Sequence, residues 1–90
     1  MVSVFPNPTS SFATINIKKM AAKIFQYKLI YDQKIIYEDK IIFKDPNIEN
    51  QIVIPAHSIQ EEGTYIVAYE IESVKTFCQG TVPFMVMKNK

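Results

Sequence analysis

Thr64-Tyr65-Ile66-Val67-Ala68-Tyr69-Glu70-Ile71-Glu72, directly after Gly63, is the stretch whose reading decides the fold. Tyr65, Val67, Tyr69 and Ile71 fall on one side. Thr64, Ala68, Glu70 and Glu72 fall on the other, with Ile66 as the exception. A period of two with one apolar side is the pattern of a strand that buries one face and wets the other. Gly63 stands where a residue free to take positive φ lets the chain enter that strand.

The same period recurs outward from this stretch. Upstream, Gln51 to Ile54 reads as a short strand ended by Pro55. Ala56-His57-Ser58-Ile59 reads as one helical turn, which Glu61-Glu62-Gly63 stops. Phe25, Tyr27, Leu29 and Tyr31 share a face opposite Gln26, Lys28 and Asp32, giving a strand over Ile24 to Tyr31 and a turn at Asp32-Gln33-Lys34. Ile35 to Phe43 reads as a strand or a pair broken at Glu38-Asp39-Lys40. Lys44-Asp45-Pro46-Asn47 is a turn. Ala13, Ile15 and Ile17 alternate with Thr14, Asn16 and Lys18, and Lys19 to Ala22 reads as a bend. Val2 to Phe5 is a short strand stopped by Pro6-Asn7-Pro8-Thr9-Ser10-Ser11. Each proline there fixes φ and removes a donor, which makes a stiff, extended turn. Downstream, Ser73-Val74 turns the chain. Lys75 to Cys78 starts a final excursion, Gly80 suggests a bulge or bend, and Val82 to Lys88 ends it.

About seven short strands separated by turn signals, with no convincing helix, predict an all-β, immunoglobulin-like β-sandwich of antiparallel strands in a Greek key. A small barrel is the alternative. The 90 residues make one domain, 1–90, with apolar residues at 48% to supply its core. Leu29 is the single leucine, against a rich supply of Ile, Val, Tyr, Phe and Thr that suits pleated surfaces.

The formal charge of +1 is spread over interspersed acids and bases, which speaks against nucleic acid and against a polybasic membrane patch. No uncharged apolar run reaches the roughly 20 residues of a transmembrane segment. The opening residues, with their proline pair, do not read as a secretory leader. Cys78 is the single cysteine, so no internal disulfide or thiol metal cluster forms, and it is expected to be a small buried or half-buried thiol.

Residues that carry chemistry are sparse, and the reading is of no enzyme. His57 is the single histidine, and a nucleophilic relay would have to use it. It lies beside Ser58 in an expected surface turn. Glu38-Asp39 and Glu61-Glu62 are adjacent acid pairs. Neighbours along a strand point to opposite faces, so neither pair converges on a glycosidic bond. Asp45, Asn47 and Glu49 have a spacing for a surface calcium contact, without the glycine and terminal glutamate of an EF-hand. Gly63 and Gly80 are the two glycines, too few for a phosphate-cradling loop. Tyr27, Tyr31, Tyr37, Tyr65 and Tyr69 are expected to be core or cross-strand pairs more than a sugar-stacking platform. No metal site and no cofactor is expected.

Four segments in order resemble one family. Phe5-Pro6-Asn7-Pro8-Thr9-Ser10 resembles the YPNPTSG opening of the C-terminal sorting domains of type IX secretion substrates of the Bacteroidetes. Lys28-Leu29-Ile30-Tyr31-Asp32 resembles their central xIYDxxGK strand and turn. Ile59 to Tyr69 resembles LxxGxYxVxI, and Phe84 to Lys88 resembles the terminal KxVVxK strand. Ser11 stands where that family has glycine. Gln33-Lys34 follows Asp32 without the glycine found there. The stretch from Ile35 to Gln51 is longer and more charged than is typical.

The resemblance implies an immunoglobulin-like export address without catalysis. Such a domain passes through the periplasm, is recognised by the outer-membrane translocon and meets a sortase-like peptidase that leaves the cargo at the cell surface or secreted. By position, the recognition residues are Pro6, Asn7, Pro8, Gly63, Tyr65, Val86, Met87, Lys88 and Lys90. A free terminal strand with an exposed edge would pair with a receptor by β-augmentation, with Lys88 and Lys90 keeping that edge soluble. The alternative is an immunoglobulin-like accessory or carbohydrate-contacting module of a secreted or surface protein. That module would display an exposed aromatic strip in place of buried tyrosines.

Overall fold

The computed structural model describes residues 2–10, 12–17, 22–44 and 50–88. The bend expected over Lys19 to Ala22 lies outside the described residues except at Ala22, which begins a strand and no bend. Positions 45–49 of the expected turn and calcium spacing, and Lys90, also lie outside them. The elements are β1 (Val2–Phe5), β2 (Ala13–Ile17), β3 (Ala22–Tyr31), β4 (Lys34–Ile42), β5 (Asn50–Ile54), a 3-10 turn (Ala56–Ser58), β6 (Gly63–Ser73) and β7 (Phe77–Val86). They form two antiparallel sheets, in the orders β1-β2-β5 and β4-β3-β6-β7. Three hairpins, β1-β2, β3-β4 and β6-β7, stay within a sheet, while the links β2-β3, β4-β5 and β5-β6 cross between sheets. This is the Greek-key connectivity of an immunoglobulin-like sandwich.

The alternations place the core. Val4, Ala13, Ile15, Ile17, Ile52 and Ile54 of the smaller sheet face Phe25, Tyr27, Leu29, Tyr65, Val67, Ile71, Phe84 and Val86 of the larger, all of them buried. Each large side chain removed from water here contributes about 1.5–3 kcal/mol. Ile59, which follows the 3-10 turn, is also fully buried. That turn is held by the Ser58 amide and hydroxyl, which both donate to the Pro55 carbonyl, at 3.0 and 2.6 Å.

Three local readings are decided by the structure, the first in favour of one of the two alternatives left open for Ile35 to Phe43. The acidic stretch Glu38-Asp39-Lys40 does not break β4, which runs unbroken through it. β4 is an edge strand, so these side chains reach water without leaving the ladder, and Asp39 Oδ1 accepts the Lys40 amide at 2.8 Å. The turn after β3 is tighter than expected. Asp32 and Gln33 take φ of 53° and 65°, which makes a two-residue hairpin of the kind that matches strand twist, although neither residue is glycine.

The third concerns Gly80, which marks no bulge: β7 pairs with β6 in one continuous register, with Tyr69 opposite Gly80. A Cβ on Gly80 would sit 2.6 Å from the Tyr69 hydroxyl, so the missing side chain makes room for the Tyr69 ring. That ring stacks on Phe25 at 6.1 Å between centroids.

Burial holds the Tyr27 phenol above its ordinary value of 10.0, with lesser contributions from Tyr37 and then Asp39. Its hydroxyl has no hydrogen-bond partner among the described residues. In the unfolded chain the phenol ionises near pH 10, whereas the folded chain keeps its proton to higher pH. The folded state is therefore favoured fully below pH about 10 and loses that advantage as pH rises beyond it. Urea melts between pH 8 and 11 are expected to show a midpoint that is flat at first and falls above pH about 10. Tyr27→Phe is expected to blunt that fall and leave stability at pH 8 unchanged or raised by about 1 kcal/mol, because it removes a buried, unpaired hydroxyl. A Phe variant with the same alkaline fall would show that another group controls it.

Candidate recognition site

The opening segment does not project into solvent. After β1 the chain passes through Pro6-Asn7-Pro8, where the Phe5–Pro6 and Asn7–Pro8 bonds are both cis. It then lies along the end of β7 in a parallel bridge between Thr9 and Val86. The Thr9 amide donates to the Met85 carbonyl at 2.9 Å, and the Met87 amide donates to the Thr9 carbonyl at 2.8 Å. Asn7 Oδ1 accepts the Met85 amide at 2.9 Å. Thr9 is only 3% exposed, and its hydroxyl donates to the Phe12 carbonyl. Lys88 closes the arrangement: its Nζ donates to the Ser10 carbonyl at 3.1 Å and its amide to Glu62 Oε1 at 2.7 Å.

The turn that enters β6 packs beneath the same end. Gly63 pairs with Val86, and Tyr65 pairs with Phe84. Tyr65 stacks between Tyr31, 4.4 Å away between centroids, and Phe84, 5.5 Å away. Its hydroxyl donates to the Glu61 carbonyl at 2.7 Å, and the Tyr31 hydroxyl donates to the Glu62 carbonyl at 2.6 Å. Gly63 has φ of +137°, and a Cβ there would lie 3.0 Å from the Tyr31 ring, so both conformation and space require glycine. Burial pushes the Tyr65 phenol upward as well.

The structure therefore gathers Pro6, Asn7, Pro8, Gly63, Tyr65, Val86, Met87 and Lys88 at one end of the sandwich. It sorts them in a way the sequence did not. Pro6, Asn7, Pro8 and Met87 are exposed, Gly63 and Lys88 are half-buried, and Tyr65 and Val86 are buried. The buried pair serves the fold and offers no side chain to a partner.

The expected free terminal strand needs correction. β7 is an edge strand, yet the amide and carbonyl of Met85 and the amide of Met87 are already bonded to Asn7 and Thr9. Thr9, Met85, Ser10 and Glu62 belong to this arrangement and were not singled out as recognition residues. Continuing the alternation of Phe84 and Val86 would have set Met85 facing outward. No sequence signal pairs Glu62 with Lys88.

Elsewhere, His57 is exposed and meets Tyr37 edge-on at 6.2 Å between ring centroids. Among the described residues, no three His, Cys, Asp or Glu side chains gather where a metal ion could sit. No helix among them is long and apolar enough to cross a membrane. Cys78 is exposed and not the expected half-buried thiol, since it lies near the start of an edge strand. A shallow hollow of about 460 Å³ on the outer face of the larger sheet is bordered by Gln26, Lys28, Ala68, Glu70, Gln79 and Thr81. Compared with protein-family models, curated proteins and solved structures, the chain matches none.

Proposed function

We propose that this domain is a non-catalytic export address, read by a type IX outer-membrane translocon while its cargo moves through the periplasm to the cell surface or medium. A sortase-like peptidase is the second partner of this reading. The observation that carries it is the meeting of the opening Pro6-Asn7-Pro8 segment with Met85, Met87 and Lys88, across 78 residues of sequence. A folded address has to present a shape that exists only once the chain has folded. A surface assembled from both ends of the domain meets that requirement.

The receptor then reads exposed side chains and the strapped segment, and not a bare strand edge, because the amide and carbonyl of Met85 and the amide of Met87 are occupied. An accessory, carbohydrate-contacting module has less support. Tyr27 and Tyr65 are buried and Tyr31, Tyr37 and Tyr69 are half-buried, which leaves no tyrosine platform for a sugar.

The test is a reporter fused ahead of this domain in a type IX-competent bacterium. Deleting the last strand would remove buried Val86, so the informative variant is Met87→Ser with Lys88→Glu, both of which leave the core intact. The reporter is expected at the surface or in the medium with the intact domain, and in the periplasm with the variant. A folded, intact wild-type domain that leaves the reporter periplasmic overturns the proposal and favours the accessory module.

A further inference from the structure

The two edges of the larger sheet differ in kind. β4, at one edge, carries Lys34, Glu38, Asp39 and Lys40, and one of its amides is already held by a carboxylate. Charges of this sort keep an edge from pairing with other chains. β7, at the other edge, is Phe77-Cys78-Gln79-Gly80-Thr81-Val82-Pro83-Phe84-Met85-Val86, without a single charge.

Alternation sets which of its groups face outward. Met85 turns its amide and carbonyl away from β6, toward Asn7 and Thr9. By the strand period, Pro83, Thr81, Gln79 and Phe77 turn theirs the same way. Pro83 has no amide to offer, which is why an outward position tolerates it. The opening segment covers the edge beyond Pro83. Before it, Phe77, Gln79 and Thr81 have no backbone partner for their outward groups among the described residues. Their side chains are exposed, Phe77 by 60%.

We propose that Phe77 to Thr81 is a self-association edge that takes a second copy of this chain. The copies pair antiparallel about a two-fold axis at Gln79, which joins two four-stranded sheets into one. Gln79 then lies opposite its mate and Phe77 opposite Thr81, and each of these pairs exchanges both backbone bonds. The occupant is a second copy because the segment is self-complementary: it has no charge to repel its mate, and outward groups at alternate residues match under the two-fold. The pairing ends at Pro83, where the outward amide is missing. So short an interface makes a weak, concentration-dependent dimer. This inference stands apart from the export reading.

Sedimentation of the 90-residue chain in reductant, from micromolar to about millimolar concentration, reads the association. A monomer–dimer equilibrium is expected for the wild type. Gln79→Lys and Gln79→Glu each set like charges opposite one another and are expected to weaken the dimer at least roughly tenfold. An equimolar mixture of the two variants is expected to associate again as a mixed dimer. Both substitutions are on the exposed face, and unchanged thermal melts would show that the fold is kept. A wild type that stays monomeric throughout overturns the proposal. So does a dimer indifferent to both variants, and so does a loss that the mixture fails to rescue, since only pairing at Gln79 places the two charges together.

Discussion

Tyr65→Ala is expected to destabilise the domain by about 3–5 kcal/mol, the cost of emptying a core aromatic site. Tyr65 is 1% exposed, stacked between Tyr31 and Phe84, and anchored through its hydroxyl to the Glu61 carbonyl. Removing the ring leaves a cavity under the turn that enters β6 and frees the Tyr31 ring that packs over Gly63. A domain of this size has a total stability on the order of 5–13 kcal/mol, so the loss is a large share of it. With a urea slope of roughly 1 kcal/mol per molar, the midpoint falls by about 3 M or the variant is unfolded at the outset. Tyr65→Phe keeps the stacking and loses one hydrogen bond, for about 1 kcal/mol. Equal effects from the two variants would mean that the hydroxyl, and not the ring, holds this end together.

Ending the chain after Met85 is expected to cost about 3 kcal/mol relative to a chain that ends after Lys88 and keeps the contacts named below. The shorter chain loses the burial of Val86, worth about 1.5–3 kcal/mol. It also loses the bond from the Met87 amide to the Thr9 carbonyl and those from Lys88 to Glu62 and Ser10. The first of these contributes about 1 kcal/mol, and the exposed contacts contribute less. Its opening segment, with two fewer bonds to hold it, should become sensitive to protease near Thr9. Thermal melts and limited proteolysis of the two truncations check this. If the chain ending at Met85 melts with the one ending at Lys88, Val86 to Lys88 are an appendage and the opening segment is held by the bonds of Asn7 and Thr9 to Met85. The result also bears on export assays, because a lost signal after removal of Val86 would reflect a damaged fold as much as a missing address.

The strands that alternate most cleanly were legible because their period is a local property. Tyr65, Val67 and Ile71 are buried, with Tyr69 half-buried beside them, where a period of two places them. β3 follows the same rule, whereas β2, the central strand of its sheet, does not: Thr14 and Asn16, expected on a wet face, are buried along with Ala13, Ile15 and Ile17. The errors came where a local signal meets a tertiary neighbour. Gly80 reads as a bulge until Tyr69 is seen to fill the space above it. Glu38-Asp39-Lys40 leaves one strand or two open until β4 is known to be an edge. The recognition residues were partly legible. Their resemblance-based positions do converge, but Tyr65 and Val86 turn inward and Thr9 and Met85 carry the contacts between the ends.

By itself, the sequence determined an all-β chain, the inward face of its clearest strands and the stiff opening at Pro6 and Pro8. It could do so because strand period and proline geometry act over a few residues. Only the tertiary structure decided which edges are open. The Thr9–Met87 and Lys88–Glu62 contacts join residues brought together by the order of strands in two sheets, and no pattern along the chain encodes that order. Closing the Met85–Met87 edge with the opening segment, while Phe77 to Thr81 has no strand partner beyond β6 among the described residues, follows from the same cause. An edge exists only relative to its neighbours, and those are fixed when the sheets assemble.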